Sequence, residues 1–132
     1  MTERRVIQIP NAPAPVAPYS QAIVRDGLVF CSGAVGTNPA TGQLVDGGAS
    51  GQAGQALENI AAILEAAGSG LDLVLKASIF LVDMADWAAV NDVYRERMPQ
   101  PFPARTTVVV QALPLGAQVE IEVLAAVRSE PS

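Results

Sequence analysis

Two kinds of side chain in this sequence have surroundings that could support chemistry: one arginine and a pair of glutamates. Arg105 follows three closely spaced prolines, the last of which is Pro103, and these stiffen the segment that leads to it. A guanidinium held in this way can bind a carboxylate through two parallel, charge-assisted hydrogen bonds. Glu120 and Glu122 alternate with valine and isoleucine, which puts both carboxylates on one face of a strand. A carboxylate can orient a water molecule and move a proton, typically a contribution of about 10²–10⁴ in rate.

Each of these residues also has a simpler interpretation. Most arginines lie on the protein surface, and two glutamates on the same face of a strand are typical of a solvated sheet surface. The simpler interpretation is the better one for Glu122. For Arg105 and Glu120, residue type and spacing leave both interpretations open.

The composition narrows the possible chemistry. The 132 residues include no histidine, one cysteine (Cys31) and one lysine (Lys76), and the net charge is −5. Without histidine there can be no Ser-His-Asp or Cys-His nucleophile, and a zinc site of about four ligands is not expected. The negative charge disfavours binding to nucleic acid. We therefore expect no metal and no cofactor, and an activity based on carboxylates, arginine, hydroxyls, amides, backbone groups or bound water. Cys31 is expected to be a small buried hydrophobe.

Length and hydropathy predict one domain over residues 1–132, since domains commonly have about 100–150 residues. There is no run of about 18 apolar residues that could cross a membrane. The charged N-terminal segment is not followed by the apolar block of a signal peptide. We therefore expect a cytoplasmic protein that does not bind membranes.

The strands that must position Arg105 and Glu120 are indicated by turn residues and apolar runs. Asp26-Gly27 between two apolar runs predicts a β-hairpin, and a glycine-rich loop is predicted over residues 33–48. The predicted strands are residues 4–9, 22–25, 28–31, 73–82, 105–111 and 118–127.

Two helices are predicted between these strands. Ser50 is expected to cap the first, whose apolar residues follow helical spacing until Gly68 ends it. Asp83 or Asp86 is expected to start the second, which ends before Pro99. The order β-β-β-α-β-α-β-β predicts an α+β domain with a single, mostly antiparallel sheet and two helices on one face.

Two of the predicted strands are apolar on both faces, at residues 79–82 and 108–110. Two helices can cover only one face of such a sheet, and an apolar patch of that size is rare on a soluble monomer. We therefore expect other copies of the chain to bury the second face.

Several segments resemble the RidA/YjgF family, also called the reactive intermediate deaminases and, in older names, endoribonuclease L-PSP or translation inhibitor. Pro103-Ala104-Arg105, the β-branched strand after it and Val119-Glu120-Ile121-Glu122 resemble the family signature. Supporting segments occur in the family's order at residues 18–21, 31–33, 38–42 and 90–94. The resemblance extends from about Asn11 to Val127.

The resemblance implies a chorismate-mutase-like fold and a barrel-like homotrimer with ligand clefts between subunits. It implies hydrolysis of 2-imino acids and their enamine tautomers to 2-oxo acids and ammonia, as in a 2-iminobutanoate/2-iminopropanoate deaminase. It would make Arg105 the clamp for the substrate carboxylate and Glu120 the residue that orients water.

The resemblance also implies supporting roles for four other residues. Tyr19 would close the cleft, Ser32 would bond the carboxylate, and Thr107 would contribute its backbone carbonyl. Asn91 would brace a loop near the cleft without touching the substrate.

Two other functions remain to be separated from this one. A regulatory trimer of the same family could bind a carboxylate ligand without turning it over. A ribonuclease or translation inhibitor, which the older names suggest, is disfavoured by the absence of histidine, the single lysine and the acidic charge.

Overall fold

Six strands and two α-helices make up the part of the chain that the computed structural model describes, residues 3–129. The strands are β1 (Arg5–Ile7), β2 (Ala22–Arg25), β3 (Leu28–Val35), β4 (Val74–Leu81), β5 (Ala104–Val109) and β6 (Val119–Ala126). The helices are α1 (Gly48–Ala66) and α2 (Trp87–Arg97), and short 3₁₀ turns lie at Leu71–Leu73, Met84–Asp86 and Pro114–Gly116. This is the predicted order of strands and helices.

All six strands form one sheet, in the order β1-β2-β3-β6-β4-β5. Only β4 and β5 run parallel, and the other neighbouring strands are antiparallel. Both helices contribute to a single apolar core against one face of the sheet. The predicted α+β class, with a mostly antiparallel sheet and two helices on one face, is confirmed.

Alternation along β6 and along β4 from Ala77 onward separates the core from the opposite face of the sheet. Every second residue there faces the helices and is less than 5% exposed: Ala77, Ile79, Leu81, Val119, Ile121, Val123 and Ala125. The residues between them, which include Glu120 and Glu122, face the other way. The chain itself does not cover this second face, where Phe30 is 49% and Val108 41% exposed. Its burial by other copies stays a prediction.

The hairpin between β2 and β3 is confirmed at the predicted residues. Arg25 pairs with Leu28, and both turn residues, Asp26 and Gly27, have positive φ angles of 51° and 78°. An aspartate and a glycine tolerate this left-handed backbone, which matches the twist of the two strands.

The start of α1 was predicted wrongly. Ser50 lies inside the helix, which begins at Gly48 and has no side-chain cap. The reason is a close backbone contact, since a Cβ at Gly51 would lie 2.1 Å from the carbonyl oxygen of Asp46. This contact sets where the helix starts and overrides the local capping signal. The predicted end is confirmed, because Gly68 follows the helix with a φ of 78°.

Three other boundaries differ from prediction for local reasons. β1 ends early because the Gln21 side chain binds the backbone N–H and carbonyl of Ile9. β3 continues past Gly33, where a loop was predicted, through a bulge between Cys31 and Ala34. The predicted continuation of β5 is cut short where its partner β4 ends at Leu81.

The second helix uses Asp83 as the start signal. Its carboxylate accepts a hydrogen bond from the backbone of Ala85 at 2.9 Å and caps the 3₁₀ turn that leads into α2. Asp86 directly precedes α2 but forms no side-chain cap. Within residues 3–129, no helix has the length and apolarity needed to cross a bilayer.

Candidate functional site

Arg105 is held from three sides near the start of β5. Its Nε donates a hydrogen bond to Oγ1 of Thr107 at 2.9 Å, and its Nη2 donates to Oδ1 of Asn91. Its Cζ lies 4.8 Å from the ring centroid of Tyr94. The guanidinium therefore has a fixed position between β5 and α2.

The positions of these four residues follow from strand and helix periodicity. Arg105 and Thr107 are two residues apart on β5 and share the face that the helices cover. Asn91 and Tyr94 are three residues apart on α2 and are neighbours on its surface. Partial burial lowers the pKa of the Arg105 guanidinium, which still remains charged at neutral pH.

The cleft at Arg105 has a volume of about 360 Å³. Aromatic residues Trp87, Tyr94 and Phe102 line it together with the arginine. A guanidinium has five N–H donors, and the contacts with Thr107 and Asn91 use two of them. The remaining donors are sufficient for two parallel hydrogen bonds to a carboxylate.

Glu120 lies at a second cavity, with a volume of about 450 Å³. Tyr19, Ser32 and Gly33 line this cavity next to it. Gly33 packs directly on the carboxylate, since a Cβ there would lie 2.9 Å from Cδ of Glu120. The bulge in β3 thus brings backbone against the only acidic side chain that lines this cavity among residues 3–129.

The pKa of Glu120 is raised above its ordinary value. Burial is the main cause, and the negative charge of Glu122 is the second. A carboxylate with a raised pKa accepts a proton more readily than an ordinary surface glutamate does. Glu120 is partly buried and Glu122 is exposed, a difference that the spacing alone could not predict.

Arg105 and Glu120 lie on opposite faces of the sheet. Arg105 is paired with Ala77 of β4, which is fully buried beneath the helices. Glu120 is paired with Phe80, three residues further along β4. Paired residues on neighbouring strands share a face, and residues an odd number apart along a strand point to opposite faces. One chain therefore does not bring the two predicted catalytic residues into the same cleft.

The six predicted site residues fall into two groups. Tyr19, Ser32 and Glu120 lie together at the larger cavity. The second group, at the smaller cleft, consists of Asn91, Arg105 and Thr107.

Three of the supporting residues make hydrogen bonds within the chain. Asn91 was expected to brace a loop, and its amide oxygen accepts a hydrogen bond from Arg105. Thr107 was expected to contribute its backbone carbonyl, and its hydroxyl in addition accepts from Arg105 Nε. The Ser32 hydroxyl, expected to bond a ligand, donates at 2.6 Å to the carbonyl oxygen of Ser20 and so ties down the segment that carries Tyr19.

Sequence reasoning missed Tyr94 and Gly33 as parts of these two groups. The spacing of Tyr94, three residues after Asn91, is the signal that could have identified it. Gly33 was predicted as the start of a loop but lies within β3, and a glycine inside a strand often marks the close approach of another group.

Other nucleophile and metal chemistry finds no support among residues 3–129. These residues contain no cluster of three or more histidine, cysteine, aspartate or glutamate side chains placed to hold a metal ion. Burial, with a smaller contribution from the charge of Glu122, raises the pKa of the Cys31 thiol to about 12. Cys31 is therefore a buried, protonated thiol, as expected from the sequence.

Comparison with known proteins gives consistent matches over most of the chain. A family model described as endoribonuclease L-PSP matches residues 9–127. A goat (Capra hircus) protein named 2-iminobutanoate/2-iminopropanoate deaminase is 49% identical over 122 residues, which cover 92% of this chain and 89% of the relative. A Drosophila melanogaster protein named RutC family protein UK114 is 48% identical, with 92% and 88% of the two chains covered.

Solved structures also match over most of the chain. RidA from the Antarctic bacterium Psychrobacter sp. PAMC 21119 has a TM-score of 0.91 and 44% identity, with 94% of this chain and all of that chain covered. The E. coli protein TdcF, solved with bound serine, has a TM-score of 0.88 and 34% identity, with 95% and 99% covered. The matched region of the family model includes every element described above except β1.

Proposed function

Because this chain belongs to the endoribonuclease L-PSP family, the RidA/YjgF family that its sequence resembles, we propose that it is a deaminase of reactive 2-imino acids. Its substrates would be 2-iminopropanoate, 2-iminobutanoate and their enamine tautomers, and its products 2-oxo acids and ammonia. The observation that carries the proposal is the Arg105 guanidinium, fixed by Thr107, Asn91 and Tyr94 with donors left for a carboxylate.

Arg105 binds the one charged group that all 2-imino acids share. Its unused N–H donors form two hydrogen bonds with the carboxylate at C1. Thr107 and Asn91 keep the guanidinium in place before the substrate arrives. The cost of ordering a long side chain is therefore met on folding instead of on binding.

Glu120 activates the water. The raised pKa of its carboxylate suits it to accept a proton from water as the oxygen attacks C2 of the imine. The electron pair of the C=N bond moves to nitrogen, which takes up the proton. In the resulting carbinolamine, Glu120 takes the proton of the new hydroxyl and returns it to the amino group. The C=O bond then forms as the C–N bond breaks, and ammonia leaves a 2-oxo acid. An imine carbon is already electrophilic, so this route requires no metal and no covalent intermediate with the protein.

Two copies of the chain complete one site in this proposal. Arg105 and Glu120 lie on opposite faces of the sheet, so a substrate that contacts both must lie between subunits. The open sheet face, with Phe30 and Val108 exposed, provides apolar surface for such an assembly. We propose a homotrimer in which the Arg105 cleft of one subunit meets the Glu120 cavity of the next.

The other site residues then have distinct tasks. Tyr19 closes the cavity beside Glu120, and Ser32 holds the Tyr19 segment through the carbonyl oxygen of Ser20. Thr107 and Asn91 act on the substrate through Arg105.

A regulatory trimer that binds a carboxylate without turnover is the second candidate. It is favoured by one observation: the Arg105 cleft is fully formed without Glu120. This cleft could bind a small carboxylate even if the Glu120 cavity took no part.

One experiment separates the two functions. An amino acid oxidase generates the imine in situ, and semicarbazide traps what remains. The wild-type protein should accelerate imine loss, and Arg105→Ala should abolish the acceleration. Arg128→Ala is the matched control, because Arg128 pairs with Asp72 on the surface, away from both cavities. Wild-type protein that binds 2-oxobutanoate without accelerating imine loss would establish the regulatory function instead.

A further inference from the structure

Tyr94 forms a surface directly beneath the Arg105 guanidinium. Only 5% of Tyr94 is exposed, and its ring centroid lies 4.8 Å from Arg105 Cζ. The Phe102 ring, with centroids 6.5 Å apart and planes tilted by 37°, packs against it. This distance is well within the range in which the face of an aromatic ring attracts a guanidinium.

The hydroxyl of Tyr94 does not explain its position. It is buried and has no hydrogen-bond partner among residues 3–129. Burial also raises the pKa of the phenol, so the group is neutral at physiological pH. The contact with Arg105 therefore depends on the ring face and not on the hydroxyl.

The ring adds a third contact to the two hydrogen bonds of Arg105. Hydrogen bonds from Nε to Thr107 and from Nη2 to Asn91 act in the plane of the guanidinium. Cζ of the guanidinium lies over the Tyr94 ring, 4.8 Å from its centroid. Arg105 is therefore held both through its N–H groups and by the face of an aromatic ring.

We propose that Tyr94 is a positioning residue, which through a cation–π contact orients Arg105 to receive the carboxylate of the ligand. The inference rests on the proposed function, because it takes Arg105 as the carboxylate clamp. Tyr94 itself touches no reacting atom in this proposal.

The consequence for kinetics is specific. The carboxylate is held in the same way before and during the reaction, so weakening its clamp removes binding that ground state and transition state share. Loss of the ring should therefore raise KM and leave kcat nearly unchanged. Tyr94→Leu should raise KM, and the Kd of the non-reacting analogue 2-oxobutanoate, by about 3- to 10-fold.

The test compares four variants by calorimetric titration with 2-oxobutanoate and by the imine assay. Tyr94→Leu should weaken binding of 2-oxobutanoate. Tyr94→Phe should bind it as wild type does, because phenylalanine keeps the aromatic ring. Val90→Ala truncates another buried side chain of α2 and should lower the unfolding temperature without changing Kd. Arg105→Ala serves as the reference for loss of the clamp. Wild-type Kd and KM in Tyr94→Leu would overturn the inference, since Tyr94 would then be structural only.

Fluorinated phenylalanine at position 94 keeps the test valid if Tyr94→Leu does not fold. Trifluorophenylalanine keeps the shape of the ring but removes its attraction for a cation, so binding should weaken relative to Tyr94→Phe at an unchanged unfolding temperature. Equal binding by the two would overturn the inference. If Arg105→Ala itself binds 2-oxobutanoate like wild type, the proposed clamp has failed, whatever Tyr94 does.

Discussion

A methyl group at Gly33 would lie 2.9 Å from Cδ and 3.0 Å from Oε2 of Glu120. The backbone of the β3 bulge and the carboxylate on β6 are therefore in direct contact, and a side chain at residue 33 would have to displace the carboxylate. Because Gly33 does not have a positive φ, the effect of a larger residue here is one of space and not of backbone conformation.

Gly33→Ala should displace the Glu120 carboxylate and lower kcat by about tenfold or more, since small misplacements of catalytic groups are costly. The matched control is Gly54→Ala. A Cβ there would meet the end of the flexible Arg97 side chain at 3.3 Å and make an ordinary contact with Val93 at 3.8 Å, and alanine favours the helix. Steady-state kinetics of both variants checks this. Wild-type kcat in Gly33→Ala would mean that the position of Glu120 is not critical.

Arg105→Lys should lose most of the activity although it keeps the charge. Lysine offers a point charge and has no planar fork of N–H donors. It cannot keep the hydrogen bonds to Thr107 and Asn91 and also form two parallel hydrogen bonds with a carboxylate. We expect kcat/KM to fall more than about tenfold. A value near wild type would show that the carboxylate binds elsewhere.

Glu120→Gln should lower turnover by about 10² or more, because glutamine keeps the shape but cannot accept the proton. Binding of 2-oxobutanoate should change little, since Arg105 still holds its carboxylate. Glu122→Gln is the control, as Glu122 is exposed on the same strand. If Glu122→Gln is the variant that loses turnover, the assignment of water activation to Glu120 is wrong.

The raised pKa of Glu120 links activity and stability to pH. Activity requires the ionised carboxylate, so the rate should fall with decreasing pH at a midpoint above that of an ordinary glutamate.

Since the folded-state pKa of Glu120 exceeds the unfolded one, the folded state binds the proton more tightly. Stability from this group is present below the unfolded pKa and is lost as pH rises through the folded pKa.

Glu120→Gln should therefore be more stable than wild type at neutral pH, and the difference should disappear in acid. Thermal unfolding of the two proteins across the acidic range measures it. A variant that is less stable at pH 7 would contradict the direction of the shift.

Complementation tests the proposal that two copies form one site. Arg105→Ala and Glu120→Gln should each be inactive alone. When the two are unfolded, mixed and refolded together, some sites obtain Arg105 from one chain and Glu120 from the other, and activity should return. Light scattering gives the mass of the assembly. Absence of recovery from a mixed assembly would place both residues in the site of a single chain.

Local signals predicted much of the fold. Asp26-Gly27 and Gly68 gave the correct turn and helix end, because each residue adopts a left-handed backbone there. Ser50 failed as a cap because the helix already begins at Gly48, where Gly51 packs closely on the Asp46 carbonyl. Side-chain type thus predicts the end of an element where no close backbone contact competes with it.

The candidate site was predicted as a set of residues but not as an arrangement. Alternation along a strand predicts which residues share a face with Arg105 on β5, and which share a face with Glu120 on β6. That these faces are opposite depends on β4 lying between β5 and β6, which no local pattern encodes. The contact of Tyr94 with Arg105 likewise depends on how α2 packs on the sheet.

The burial of Cys31 has a consequence for a protein that handles electrophiles. An electrophilic imine can react with thiolates and amines. This chain has no histidine, a single lysine and a single thiol, and burial raises the pKa of that thiol to about 12. The protein thus offers an electrophilic imine few side-chain nucleophiles with which to react.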